Sequence, residues 1–219
     1  MARLIEAAAD PSYPAEIAAV VADAAGTEGQ TFAESRGIRA IALPRDEFGT
    51  REEHEQALEA ELASAGAEIV CLAGYMRMLS SPFATRWAGR MINIHPALLP
   101  SFKGLDTHRR ALEAGVRVHG CTVHFVTAAM DDGPIIAQAA VPVRIDDSEK
   151  QLAARVLKAE HKLYPLALRL VVEGKARMEG GRTVFDSGGF PERTAGPMLI
   201  CPDFVDEVKS IEELARFTP

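Results

Sequence analysis

Residues 90–104 read Arg90-Met91-Ile92-Asn93-Ile94-His95-Pro96-Ala97-Leu98-Leu99-Pro100-Ser101-Phe102-Lys103-Gly104. The opening RMINI has the apolar, β-rich character of a strand covered on both faces. The remainder leaves the C-terminal end of that strand, where open α/β sheets place their active sites. Asn93 and His95 are two residues apart and held by prolines, so an amide and an imidazole can converge on one carbonyl oxygen. Asn93 would donate through its side-chain NH2. A protonated His95 would donate to a developing oxyanion and later pass its proton onward. By spacing alone, a strand-end asparagine and a solvated histidine beside a turn account for the same letters equally well.

Upstream of this strand lie three more short apolar runs, Glu16–Ala22, Gly37–Leu43 and Glu68–Gly74, each read as a parallel strand. Amphipathic helices separate them. Thr50 and Glu53 form a capping box for a helix with Leu58, Leu62 and Ala65 on one face and Gly66 at its C′ position. Ser81 before Pro82 reads as an N-cap with proline at N1. Ser148 and Gln151 open a long helix whose Leu152, Val156, Ala159 and Leu163 face inward, with a kink expected at Pro165. Val118–Thr127 and Pro134–Val143 read as two strands joined by a loop, and Arg177–Phe185 as a hairpin across Glu179-Gly180-Gly181. The expected fold class is α/β, a doubly wound and mostly parallel sheet with a small antiparallel extension.

Composition narrows the function. The 219 residues carry a formal net charge of −7 and no Lys/Arg run, which argues against a nucleic-acid surface. An anionic small substrate would need a few arginines and backbone N–H groups against this field. Cys71, Cys121 and Cys201 are far apart and odd in number, as expected of buried thiols in a reducing cytosol. With no run of about 18 apolar residues and no basic-then-apolar start, the expectation is a cytoplasmic protein without a membrane partner. No His/Cys cluster has metal-ligand spacing.

A second segment, Gly120-Cys121-Thr122-Val123-His124-Phe125-Val126-Thr127-Ala128-Ala129-Met130-Asp131-Asp132-Gly133-Pro134, runs from an alternating strand into a loop with adjacent carboxylates. A carboxylate near an imidazole stabilises its cation, so Asp131 could keep His95 charged. Asp-Asp-Gly is also a common turn, which by itself is the more ordinary explanation.

Together these segments resemble the folate-dependent formyltransferases. Asn93, His95 and Asp131 match that superfamily's catalytic asparagine, histidine and aspartate. The flanking Cys71–Ser80 (CLAGYMRMLS) and Gly104–Leu112 (GLDTHRRAL) are similar to its glycinamide ribonucleotide branch, with likeness running from Met1 to about Phe190. The resemblance implies a Rossmann-like formyltransferase domain over residues 1–190 and a tail over 191–219 of no assigned function. It implies formyl transfer from 10-formyltetrahydrofolate to glycinamide ribonucleotide in purine synthesis, with no metal needed. Arg51, Met76, Arg77, Met78, Leu79, Asn93 and Thr127 would hold the folate, the Thr127–Asp131 loop would cover it, and Glu160 would reach the ribonucleotide. Met76, Met78 and Leu79 also read as plain core, and Arg51 and Glu160 as solvated helix charges; the matching flanking motifs favour the functional reading. Small molecules are the expected partners, and a homodimer is compatible with the reading.

Rival readings are a formyltetrahydrofolate deformylase, which would use water as acceptor, and a folate-binding remnant without turnover. A methionyl-tRNA formyltransferase would need a basic C-terminal domain, and this chain is acidic.

Met1–Ala9 puts Met1, Leu4, Ile5 and Ala8 on one helical face, so a helix is the expected first element. In the family a strand and a Gly-rich phosphate loop precede that helix. Either this variant begins with a helix or the N-terminus is incomplete, and the second is the expectation. A sheet short of a central strand leaves backbone groups unpaired. The 219-residue chain is therefore expected to melt below a complete α/β domain, and a thermal scan checks this.

Overall fold

A computed structural model describes residues 1–186 and the backbone of 199–201. Helix α1 (Ala2–Ala8) precedes strand β1 (Val20–Ala22), α2 (Glu28–Ser35) and β2 (Ala40–Ala42). Then follow α3 (Arg51–Ser64), β3 (Val70–Leu72), α4 (Ser81–Arg86), β4 (Met91–His95) and α5 (Thr107–Glu113). Strands β5 (Val118–Phe125) and β6 (Ile135–Pro142) lead to the long α6 (Glu149–Val172) and the hairpin β7 (Ala176–Glu179) and β8 (Arg182–Phe185). Leu199–Cys201 forms β9, inside the stretch expected to be a tail, and pairs with β6. The expected boundary near residue 190 and the possible helix over 205–217 lie outside the described residues.

The parallel pairs are β1–β2 and β3–β4; β4, β5, β6 and β9 continue the second ladder antiparallel. Among the described residues β1 and β3 each have one ladder partner, so the α/β sheet lies in two ladders. Their strands, and β2, are three residues long and only half-buried, shorter than the apolar runs suggest. An edge strand lacks the second ladder that would hold its ends.

Helix starts follow local chemistry. Thr27, Thr50 and Ser148 each accept from the N3 backbone N–H while the N3 side chain returns a bond, which satisfies two otherwise orphaned donors. Ser80, rather than Ser81, caps α4 by accepting from Phe83 N, so Pro82 falls one position deeper than expected. Helix α6 spans Pro165 as one element of 24 residues. The ring removes one intrahelical donor, and the Pro165 carbonyl accepts from Tyr13 Oη at 2.7 Å.

The core sits between α6 and the β5–β6 pair. Leu152, Val156, Ala159, Leu163 and Ala167 of α6 cluster with Cys121, Val123, Phe125, Ala137 and Ala139, all at 0–1% exposure. Side chains alternate along a strand. The odd positions of β5 therefore face α6, and Thr122 and His124 face the other way. Tyr164 ties the helix to the parallel half of the sheet, with its hydroxyl donating to Leu72 O at 2.7 Å. No helix among the described residues is long and apolar enough to cross a membrane. A Leu163→Ala chain, which leaves a cavity in this layer, should lose about 2–5 kcal/mol of stability in urea unfolding.

Candidate active site

The β4–β5 register builds the site. Asn93 and His95 share one face of β4; antiparallel pairing sets His124 opposite Asn93 and Thr122 opposite His95. Asn93 Nδ2 lies 3.3 Å from His124 Nε2. His124 Nδ1 lies 2.9 Å from Phe125 O, and a carbonyl only accepts, so Nδ1 carries the proton. Burial holds the His124 ring below the usual histidine range, against the pull of the Phe125 carbonyl and Asp131. The neutral ring thus offers a bare Nε2 to the Asn93 amide. That contact orients the amide nitrogen and leaves its second N–H for a ligand.

His95 is fixed by the same logic. Its Nε2 is 3.0 Å from Phe102 O and must donate there. Nδ1, 3.4 Å from Asp131 Oδ2, is then the nitrogen that can turn to a substrate. Asp131 arrives from the β5–β6 loop in the left-handed region, φ +49°, which aspartate tolerates better than most residues. Its Oδ2 accepts from Gly104 N at 2.9 Å, and its Oδ1 is 3.8 Å from His124 Nε2. One carboxylate therefore faces both imidazoles and one backbone N–H.

Buried hydrogen bonds hold the loop after β4. Thr122 Oγ1 donates to Ala97 O at 2.7 Å and accepts from Leu99 N and from Gln138 Nε2, each at 3.0 Å. Thr107 Oγ1 donates to Pro96 O, and Arg110 Nη1 to Lys103 O. Lys103 pairs with Asp132, linking this loop to the one that carries Asp131. Gly133 is sterically required: a Cβ there would fall 1.7 Å from Phe125 O, the carbonyl that fixes the His124 ring.

The other residues singled out in the sequence sit on nearby loops and helices. Met76 and Met78 are 73% and 53% exposed, while Leu79 packs against the small cluster of Leu62, Phe83, Trp87 and Met91. Arg77 pairs with Asp23 at 2.6 Å, beside a cleft of about 710 Å³ that opens at the ends of β1 and β2 rather than over Asn93. Arg51 opens α3 and pairs with its neighbour Glu52 at 3.7 Å; Thr127 Oγ1 donates to Ala129 O. Glu160 is half-buried one turn before Tyr164. Burial raises its carboxyl, and the Met1 amine partly opposes that. The structure thus brings Asn93, His95 and Asp131 together, and records no bond from Arg51 or Glu160 to them.

Residues 1–168 match the family model described as formyl transferase. The chain belongs to the formyl transferase family. The trifunctional purine biosynthetic protein adenosine-3 of Gallus gallus is 47% identical over 180 residues, which is 82% of this chain and 18% of that relative's length. A phosphoribosylglycinamide formyltransferase of Escherichia coli is 39% identical over 188 residues, covering 86% of this chain and 89% of its own. The crystal structure of a phosphoribosylglycinamide formyltransferase from Brucella melitensis aligns with a TM-score of 0.76 at 53% identity, over 78% of this chain and 88% of that one.

Sequence reasoning about this formyl transferase passed over His124, whose contact with Asn93 depends on strand register. The available signal was its even position on β5, shared with Thr122 and facing away from α6. His119 and Phe102 were also unassigned. His119 is 1% exposed and stands edge-on to Phe102 at 5.7 Å and to His108 at 5.5 Å. Burial, then repulsion from His108, lowers it to about 4.

Four histidines of the formyl transferase (His108, His119, His124 and His161) are thus held below the unfolded value of 6.5, chiefly by burial. The unfolded chain takes up protons that the fold refuses, so stability is full above about 6.5 and falls as pH drops towards 4. The melting temperature should decline between pH 7.5 and 5. A His119→Phe chain should show a shallower decline over the same scan.

Proposed function

We propose that this formyl transferase moves the formyl group of 10-formyltetrahydrofolate to the amine of glycinamide ribonucleotide, a step of de novo purine synthesis. The relatives named phosphoribosylglycinamide formyltransferase support the substrate pair. The observation that carries the chemistry is the Asn93 amide, oriented by a neutral His124 beside a His95 whose Nδ1 faces Asp131.

The amine attacks the formyl carbon and the carbonyl oxygen becomes an oxyanion. The free N–H of Asn93 and the Nδ1–H of His95 are donors to that oxyanion, in a setting where fixed dipoles need no reorganisation. Asp131 stabilises the imidazolium form of His95 and accepts a proton from the attacking amine through a water. Collapse breaks the bond to folate N10, and His95 supplies the proton that the leaving tetrahydrofolate needs. Met76, Arg77, Met78, Leu79 and Thr127 line the folate, with Arg51 nearby on the first turn of α3, and Glu160 reaches the ribonucleotide. Holding both reactants together contributes much of the rate. The substrates are small cytoplasmic molecules, and no resident metal enters the scheme.

The test is formation of formylglycinamide ribonucleotide from the two substrates. Asn93→Ala should lower kcat by about 10²–10³-fold, the cost of one oxyanion donor. His124→Ala should lower kcat with little change in either KM, since it acts by orienting Asn93. Formate release without ribonucleotide would instead favour the deformylase reading, and folate binding without either product the remnant.

A further inference from the structure

Glu55 is a carboxylate on the inner side of α3, 3% exposed. Among the described residues no lysine, arginine or histidine forms an ion pair with it, an unusual state for a buried acid. Instead Oε1 accepts from Ser80 N at 2.6 Å, and Oε2 is hydrogen-bonded by Ser80 Oγ. Ser80 in turn caps α4 by accepting from Phe83 N at 3.3 Å. Both hydrogen bonds of the carboxylate thus converge on the residue that ends the 73–80 connection.

That connection leaves β3 and carries Met76, Arg77, Met78 and Leu79. Along it Met76, Arg77 and Met78 are exposed, with Arg77 reaching Asp23 at 2.6 Å, and Gly74 adopts φ +69°. Its two ends are fixed, at β3 by the ladder to β4 and at Ser80 by Glu55. Helix α3 is itself anchored next door, where His54 Nε2 meets Leu43 O at 3.0 Å and its ring stands edge-on to Phe48. The Glu55 charge also reaches the middle of the connection. Tyr75 is pushed above the ordinary tyrosine range by burial first, then by Asp23 and Glu55.

We propose that Glu55 is a positioning residue for the folate-binding connection, holding Met76–Leu79 in place from behind through Ser80. This rests on the folate assignment above. The charge-assisted pair of bonds fixes where the connection enters α4, and so which side chains and backbone groups it turns to the ligand. Glu55 itself touches no substrate. Its loss should therefore weaken folate binding and leave the ribonucleotide side and the chemical step alone.

Steady-state kinetics of Glu55→Ala and Glu55→Gln, with both substrates varied, decide the matter. Removing a charge-assisted bond should raise KM for 10-formyltetrahydrofolate about tenfold in Glu55→Ala, with kcat and the ribonucleotide KM within about twofold of the parent. Glu55→Gln keeps an acceptor for Ser80 N and should recover part of that loss. A folded Glu55→Ala chain with an unchanged folate KM, or with both KM values raised equally, would overturn the proposal. If Glu55→Ala does not fold, Glu55→Gln decides by the same criterion. Calorimetric titration with tetrahydrofolate separates this from the activity reading. A parent chain that binds tetrahydrofolate without transferring a formyl group sinks the proposed reaction, while weaker binding by the variants still supports Glu55. A parent chain that does not bind tetrahydrofolate overturns the role of Glu55.

Discussion

The antiparallel register between β4 and β5 sets Asn93 against His124 and His95 against Thr122, and a slip of one residue would put the two pairs on opposite faces. Two polar features of the site descend from that pairing. It gives the Asn93 amide an imidazole to lean on, and it gives the loop after His95 a threonine to hang from. The register is itself fixed from behind, because Cys121, Val123 and Phe125 must face α6 to complete the core. Packing on one side of the sheet thus determines chemistry on the other.

The loop from Pro96 to Asp106 would otherwise be an irregular segment with Phe102 and Asp106 in the left-handed region. It is held by side chains from three elements: Thr122 on β5, Gln138 on β6, and Thr107 and Arg110 on α5. Its product is a single carbonyl, Phe102 O, aimed at His95 Nε2. Groups fixed before the substrate arrives are what make oxyanion stabilisation effective. The histidine's tautomer follows from how this loop is tied down.

Much of this was legible in the letters. Capping boxes at Thr50 and Ser148 use contacts within three residues, so the sequence contains both partners. The apolar face of α6 and the pairing of Asn93 with His95 on one strand face are likewise local. What was not legible depended on distant partners. Ser80 and Ser81 are equivalent as text, and Glu55, 25 residues upstream, sits on the one that caps α4. His124 looked like an ordinary strand residue until β4 lay beside it. The ends of β1, β2 and β3 were overcalled because an apolar run records burial, whereas a strand needs a ladder to pair with.

The division into two ladders has a dynamic consequence. Residues 20–42, with β1, α2 and β2, join the rest through the packing of α1 on α2 and through exposed ion pairs, Asp23 with Arg77 and Arg39 with Glu61, while among the described residues no ladder links β1 or β2 to the second sheet. Units connected in that way open separately, at less free energy than global unfolding. Amide protons of Val20–Ala22 and Ala40–Ala42 should then exchange with solvent ahead of those in β5, with Asn93, His95 and His124 in the part that opens last.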